Sequence, residues 1–323
     1  MANYFSDDID FASYLDETDA KARVKPARLW LEEIRDKIGK ADLVKKVALP
    51  WSETSDKFNF RMGEVSIYGG YSGHGKSLVT TQIALSLMGQ QEKVCIASFE
   101  MKPSVTLQRA LRMFCGSNPF GDEFSQNPEA VDILKGLCEQ FADWTDERLW
   151  LYDQVGKVRA DLVIGMIRYA ARTHGIKHYF IDSLMKCIED EDDMNLQKRF
   201  MDQLCAVAKD EDVHIHLVHH MRKGESELKS PGKSDFRGSS AITDQADNLW
   251  CVWRNKPKEV DVKNLGKASL KIDEPDTFMT NVKHRNGDDE PVVSLWHDRD
   301  SNQMLSTKGG RPLYFPNYPH YQE

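Results

Sequence analysis

From Gly63 onward, short apolar runs alternate with segments in which apolar residues recur every three or four positions. This is the pattern of strands interleaved with amphipathic helices. Val65–Tyr68, Val94–Phe99, His178–Ile181, Val213–Val218 and Leu249–Trp253 read as strands. Helices are expected over Ser77–Met88, closed by Gly89, over residues 104–115, over Asp161–Thr173, stopped by Gly175, and over Leu196–Lys209. In Val213–Val218, Val213, Ile215 and Leu217 alternate with His214, His216 and Val218, which suits a strand. Phe278–His284 and Val292–His297 flank Asn286-Gly287 and read as a β-hairpin. The expected fold is therefore α/β: a mostly parallel twisted sheet flanked by helices, with a C-terminal β-hairpin. Residues 117–130 (SNPFGDEFSQNPEA) read as a loop.

Ahead of this pattern, residues 1–26 form an acidic segment expected to be flexible. Residues 27–50 are expected to be a linker helix. Over Ala27 to Lys46 it places Leu29, Leu31, Ile34, Ile38, Leu43 and Val44 near one side, and Pro50 stops it. Because it lies outside the α/β pattern, its apolar side must be buried elsewhere, for instance on a neighbouring subunit. Residues 51–305 make the main domain. Residues 306–323 are a tail whose aromatic and proline-rich stretch, Leu313 to Tyr321, docks on a partner or on the chain itself.

Composition narrows the class. Hydrophobic residues make up 40% of the 323 positions, enough for a core. No run approaches the ~18 uncharged apolar residues of a membrane span, and MANYFSDDIDF lacks a signal-peptide pattern. The six cysteines show no CxxC spacing, so neither a zinc site nor a disulfide framework is indicated. A cytoplasmic α/β protein is expected. Its net charge of −8 does not exclude nucleic acid, because charge is unevenly spread. Residues 250–271 are a basic loop region with Arg254, Lys256, Lys258, Lys263, Lys267 and Lys271. A second basic loop carries Arg222, Lys223, Lys229, Lys233 and Arg237, which either line a phosphate backbone or are ordinary surface cations. The acidic tract Glu189–Asp193 reads as a solvated loop.

The sharpest chemistry lies in Gly70-Tyr-Ser-Gly73-His74-Gly75-Lys76-Ser77, a G-x-x-x-x-G-K-S phosphate loop between a strand and a helix. Its glycines let backbone N–H groups face a polyphosphate at a helix N-terminus. Lys76 can reach the β- and γ-phosphates, and the Ser77 hydroxyl can ligate Mg²⁺. ATP and Mg²⁺ are thus the expected cofactors. Asp182 ends the apolar run Tyr179-Phe-Ile and is the candidate second metal-site carboxylate, turn capping being the alternative. Glu100, in Ser98-Phe-Glu100-Met101, sits at a strand's C-terminal end as candidate polariser of the attacking water, or as a helix cap. His219 and His220 end another strand, within reach of a γ-phosphate or as structural residues.

Together GGYSGHGKS, ASFEM, FIDS, HLVHHMRKG, DFRGSSAITDQADNLWCVWRN and VKHRNG, in this order, resemble the RecA-like motor domain of DnaB-type hexameric replicative helicases, phage and Twinkle-like relatives included. The resemblance runs from about residue 45 to 305. It implies a RecA-like P-loop NTPase core with Lys76 and Ser77 on phosphate and metal, Glu100 as catalytic glutamate, Asp182 at the metal and His220 as γ-phosphate sensor. It further implies that Arg109 belongs to the nucleotide site, that Arg237 follows the channel loop that binds DNA, and that Lys283 and Arg285 reach the neighbour's nucleotide.

The resulting expectation is a hexameric, ATP-driven 5′→3′ helicase on single-stranded and fork DNA, in a phage-infected or prophage-bearing bacterial cell. With 69 residues before Gly70, neither an N-terminal helicase domain nor a primase domain is expected in the chain, so a primase or loader would be separate. A non-unwinding RecA-like ATPase, acting as recombination mediator or switch, is the alternative; a loader-like module is a third.

Overall fold

The computed structural model describes residues 9–14, 27–28, 31, 35, 47–122, 127–190, 192–222 and 227–317. Of the expected linker helix, Ala27, Arg28, Leu31 and Arg35 are described, and they are helical; 29–30, 32–34 and 36–46 lie outside the described residues, as do 1–8, 15–26 and 318–323. The linker-helix reading is corrected at its end. Val47–Ala48 is a strand, β1, paired antiparallel with β2 (Asn59–Phe60). Val47, Leu49 and Trp51 share a buried cluster with Phe58 and Phe60, so Pro50 lies inside the packed domain.

The chain continues through β3 (Val65–Gly70), α1 (Lys76–Gly89), β4 (Val94–Ser98), α2 (Pro103–Cys115), α3 (Pro128–Thr145), β5 (Leu149–Leu151), α4 (Ala160–His174) and β6 (His178–Asp182). It then forms α5 (Met194–Asp210), β7 (His214–His220), α6 (Ser240–Gln245), β8 (Asn248–Arg254), α7 (Lys256–Leu265), β9 (Thr277–His284), β10 (Val292–Asp298) and β11 (Gln303–Leu305). Strands β3 to β11 make one nine-stranded sheet, ordered β11-β10-β9-β8-β3-β7-β6-β4-β5. The run from β8 to β5 is parallel, and β9, β10 and β11 are antiparallel. The mostly parallel sheet flanked by helices is as expected.

Both faces are buried, as a parallel sheet requires. Alternate side chains serve opposite layers: Ile67 joins the cluster under α4 and α5, and Tyr68 joins the one under α1, α2 and α3. Elements α3 and β5, like β2, α6 and β11, have no reading in the sequence. α3 begins just after a stretch rich in loop residues, where Asn127 accepts from the Glu129 and Ala130 amides and Pro128 opens the helix. β5 is only three residues long.

Two expectations change, and a third narrows to one of its alternatives. Part of the basic region 250–271 is a helix, α7, in which Lys258 Nζ binds the Glu274 carbonyl and, at 2.7 Å, Asp276 Oδ1. The hairpin is not a tight Asn-Gly hairpin. Pairing between β9 and β10 runs only from Thr277↔Leu295 to Thr280↔Val292, while β9 pairs with β8 along its whole length, Thr277 to His284. The tail docks on its own chain as far as it is described: Phe315 is fully buried, and the Gln303 amide bonds both the Leu313 N–H (2.7 Å) and its carbonyl (3.1 Å).

On the α1 face, three histidines are sealed from water: His178, His214 and His216. Phe180 stacks on His216 at 4.0 Å. Ser66 Oγ lies 2.8 Å from His214 Nε2, Tyr68 Oη 3.1 Å from His216 Nδ1, and His178 Nδ1 3.0 Å from His216 Nε2. Burial disfavours the charged imidazole, lowering His214 to about 4 and His216 well below its ordinary value. In the unfolded chain these groups titrate near ~6.5. Between the two values the unfolded state binds more protons, so stability is full above about pH 6.5 and drains away as pH falls towards about 4. A melting-temperature profile should show this decline, and His214→Asn should flatten it. An equally steep decline in the variant would count against the histidine origin.

Candidate active site

Lys76, Ser77, Glu100, Asp182 and His220 come from four different strand-to-helix connections or strand ends, all at the C-terminal edge of the parallel sheet. Gly73 and Gly75 take φ of 74° and 87°, which only glycine adopts readily, and turn the chain directly into α1. Lys76 Nζ is folded into this loop, donating to the carbonyls of Gly70 and Tyr71 at 2.9 Å each. Burial lowers its pKa, against the pull of Asp182 and Glu100.

Ser77 Oγ donates to Asp182 Oδ2 at 2.6 Å. Asp182 is 8% exposed; burial raises its pKa above the ordinary carboxylate range, and the Ser77 hydrogen bond opposes this. Arg109 on α2 is half-buried; burial lowers its pKa, against the pull of the Asp182 charge. Glu100 Oε1 lies 3.5 Å from His220 Nε2 and accepts from Ser183 Oγ at 3.1 Å. The His220 contact, with help from Ser183, outweighs burial and lowers the Glu100 pKa, so the carboxylate is ionised at neutral pH. His219, by contrast, is fully buried, with Nε2 2.6 Å from the Arg237 carbonyl. Of the two histidines, only His220 faces the cleft carboxylates.

Beside the phosphate loop opens a cavity of about 660 Å³, lined by Gly73, His74 and Gly75 and faced by Arg254, Lys258, Lys263, His297, Arg299 and Met304. Its size suits a nucleoside, and its cations suit an attached polyphosphate. Sequence reasoning assigns none of these outer residues to the site. The basic composition of 250–271 is visible in the residues, but its position beside Gly73 depends on the β8–β9 crossover. Ser183 is also absent from the sequence reading; its position next to Asp182 is the available signal.

The loop between β7 and α6 folds back over the phosphate loop. A bridge between Met221 and Phe236 closes its base, and Phe236 presses on Gly69, where a Cβ would come within 2.5 Å of the ring. Farther out, Trp253 Nε1 donates to the Glu227 carbonyl at 2.9 Å, and His74 Nε2 lies 3.4 Å from the Glu227 carboxylate. Arg222, Lys229, Lys233 and Arg237 are exposed along this loop. Lys223 lies outside the described residues. Lys233 Nζ is 3.7 Å from Asp244 and Arg222 bonds the Gly238 carbonyl, both open contacts that a phosphate can compete for.

A family model for the DnaB-like helicase C terminal domain matches residues 57–303. The chain belongs to the DnaB-like helicases. The fold agrees. The structure described as a DnaB-like replicative helicase and its interactions with primase superposes with a TM-score of 0.69 at 17% identity, covering 87% of this chain and 67% of that one. A second solved structure, described as an ATPase domain, superposes at 0.73 and 17% identity, covering 88% of this chain and 100% of that one. The chain is accordingly an ATP-hydrolysing helicase with a RecA-like core.

In this DnaB-like helicase, Lys283 and Arg285 stand apart from the cleft. All three donors of the Lys283 ammonium are taken by the carbonyls of Thr243, Asp244 and Ala246, at 2.9, 2.8 and 2.6 Å. Arg285 bonds Asp247 Oδ1 at 2.9 Å and the Asp244 carbonyl at 2.8 Å, with its side chain 41% exposed. Both cations are thus tied to the end of α6.

Lys76→Ala is expected to abolish turnover and most nucleotide binding, whereas Glu100→Gln should bind nucleotide and lose about 10²-fold or more in turnover. Equal nucleotide affinities in a binding titration would contradict these roles. Replacing Lys229 and Lys233 together by Ala should weaken single-strand binding and make its log–log salt slope shallower by about 1.4. An unchanged slope would make them ordinary surface cations.

Proposed function

We propose that this helicase works as a ring that translocates 5′→3′ on single-stranded DNA, hydrolysing Mg-ATP at subunit interfaces and thereby opening a fork. One observation carries the shared-site part of this reading. Lys76, Glu100 and Asp182 lie at the C-terminal ends of the parallel strands, whereas Arg285 follows β9 and bonds Asp247, at the N-terminal end of β8. By register Asp182 is level with Trp250, three residues along β8 from Asp247, and Gly70 of the phosphate loop lies two residues farther, so the two levels are roughly 10–17 Å apart. Arg285 therefore cannot serve its own nucleotide, but it can serve the next subunit's in a head-to-tail ring. Lys283, with its donors spent, holds the segment from which Arg285 projects.

Among the described residues no cluster of three His, Cys, Asp or Glu forms a metal cage. That fits Mg²⁺, which is held by one or two protein oxygens together with substrate phosphates; Ser77 and Asp182 supply such oxygens. When bound, the ion would offset charge on the phosphoryl oxygens. Lys76 would exchange the Gly70 and Tyr71 carbonyls for phosphate oxygens. Glu100, kept ionised by His220 and Ser183, would orient water for in-line attack. The exposed cations of 222–237 would track the DNA backbone. A separate primase or loader and single-stranded DNA are the proposed partners.

Strand displacement on a 5′-tailed fork with ATP is the direct test; ATP turnover without displacement would favour a non-unwinding RecA-like switch. Arg285→Ala protein is expected to bind nucleotide and lose about 10³-fold in turnover. Mixed with Glu100→Gln protein it should regain part of that turnover, because some interfaces then pair an intact Glu100 with an intact Arg285. No recovery at any ratio, in particles shown to exchange subunits, would sink the shared site.

A further inference from the structure

Beside Asp182, where α1 and α2 cover the ends of β4 and β6, lies a cavity of about 20 Å³. Ser77, Thr80, Thr81, Ser98, Thr106 and Asp182 supply its polar lining, and Phe180 and Val218 part of its apolar wall. Three of the hydroxyls are already committed. Ser77 Oγ donates to Asp182, Thr80 Oγ1 to the Lys76 carbonyl at 3.1 Å, and Thr81 Oγ1 to the Ser77 carbonyl at 2.7 Å. The remaining two, Ser98 Oγ and Thr106 Oγ1, are sealed from solvent and have no hydrogen-bond partner in the protein. Their residues are 6% and 3% exposed. Ser98 stands level with Asp182 in the β4–β6 ladder, so both side chains leave the sheet on the same face.

Two buried hydroxyls without partners are costly, and native structures satisfy such groups, often through an ordered water. A site needs roughly 10–15 Å³ to take one water, which typically makes about three hydrogen bonds. This cavity has the volume for one and not two. A cavity of about 20 Å³ is too small for Mg²⁺ together with the several waters it keeps.

We propose that a single structural water occupies this cavity, accepting from Ser98 Oγ and Thr106 Oγ1 and donating to the Asp182 carboxylate, and that Ser98 and Thr106 are thereby positioning residues for that carboxylate. The water would hold Asp182 through Ser98 of β4 and Thr106 of α2, while Ser77 holds it from α1. Thr106 and Arg109 sit one turn apart on α2, so a shift of this helix is felt at Asp182 through both a charge and a hydrogen-bonded chain. The positioning role rests on the Mg-ATP reading of Asp182; the water does not.

Thr106→Val removes the hydroxyl at nearly constant volume and is the decisive variant, with Thr106→Ser as rescue and Ser98→Ala as the independent second site. In the nucleotide-free protein, Thr106→Val and Ser98→Ala should each lower Tm, and Thr106→Ser should keep a Tm above that of Thr106→Val. The Mg²⁺ concentration giving half of the Tm gain produced by saturating ADP should rise roughly two- to tenfold in Thr106→Val and return towards the wild-type value in Thr106→Ser. Turnover at saturating Mg²⁺ should change less than this requirement. A rise in Tm for Thr106→Val would mean a dry cavity and overturn the water. A fall in Tm with an unaltered Mg²⁺ requirement would overturn the positioning role. A wild-type protein whose Tm ignores Mg²⁺ with ADP would instead contradict the reading of the site itself.

Discussion

Asp182 is a carboxylate held almost wholly out of water at the end of a central strand, and the surrounding structure is arranged to make that tolerable. Burial alone drives it towards the neutral form. The hydroxyl of Ser77 and the charges of Lys76 and Arg109 oppose that drive, and they come from two different helices. The N-terminus of α1, the end of β6 and the middle of α2 must therefore meet at one point. A phosphate loop closed by Gly75 is what brings α1 there, and the β4–β6 register is what sets Ser98 beside the carboxylate.

A second carboxylate beside the first has the opposite electrostatic character. Glu100 is more exposed, and His220 with Ser183 keeps it ionised. Two acids close together thus sit on opposite sides of their ordinary range, one inclined to share its charge with hydrogen-bond donors and the other ready to act on water. The contacts of Phe236 with Gly69 and of Glu227 with His74 lay the basic loop against the phosphate loop. Whatever moves one of these loops is felt by the other.

The sheet also keeps two sets of polar residues apart by its length. Its C-terminal edge gathers the nucleotide residues, while the antiparallel β9 returns the chain to the opposite edge and leaves Arg285 there beside Asp247. This polarity makes a lone subunit chemically incomplete in the ring proposed above. Lys283, bound to three carbonyls of its own chain, anchors the segment that carries Arg285.

Much of this is readable from the residues alone. The phosphate loop, the strands ending at Glu100, Asp182 and His220, and the helices after them are local: glycines at positive φ, apolar runs and helical periodicity are written in contiguous residues. What cannot be read depends on partners far away in the chain. The helix α7 reads as a basic loop in the sequence because the partners of its Lys258, the Glu274 carbonyl and the Asp276 carboxylate, are brought near only as the chain returns into β9. The long β9–β10 connection reads as an Asn-Gly hairpin because pairing of β9 with β8, rather than turn preference, sets where the strand ends. Ser183 becomes a partner of Glu100, and Ser98 and Thr106 become orphaned hydroxyls, only once β4, β6 and α2 are stacked. Sequence by itself determined which backbone conformations and which apolar faces this protein must have, since those follow from each residue's own sterics and solvation. Tertiary structure alone decided which polar groups meet, because a buried hydrogen bond or ion pair is a property of two residues, and here they lie tens to hundreds of positions apart.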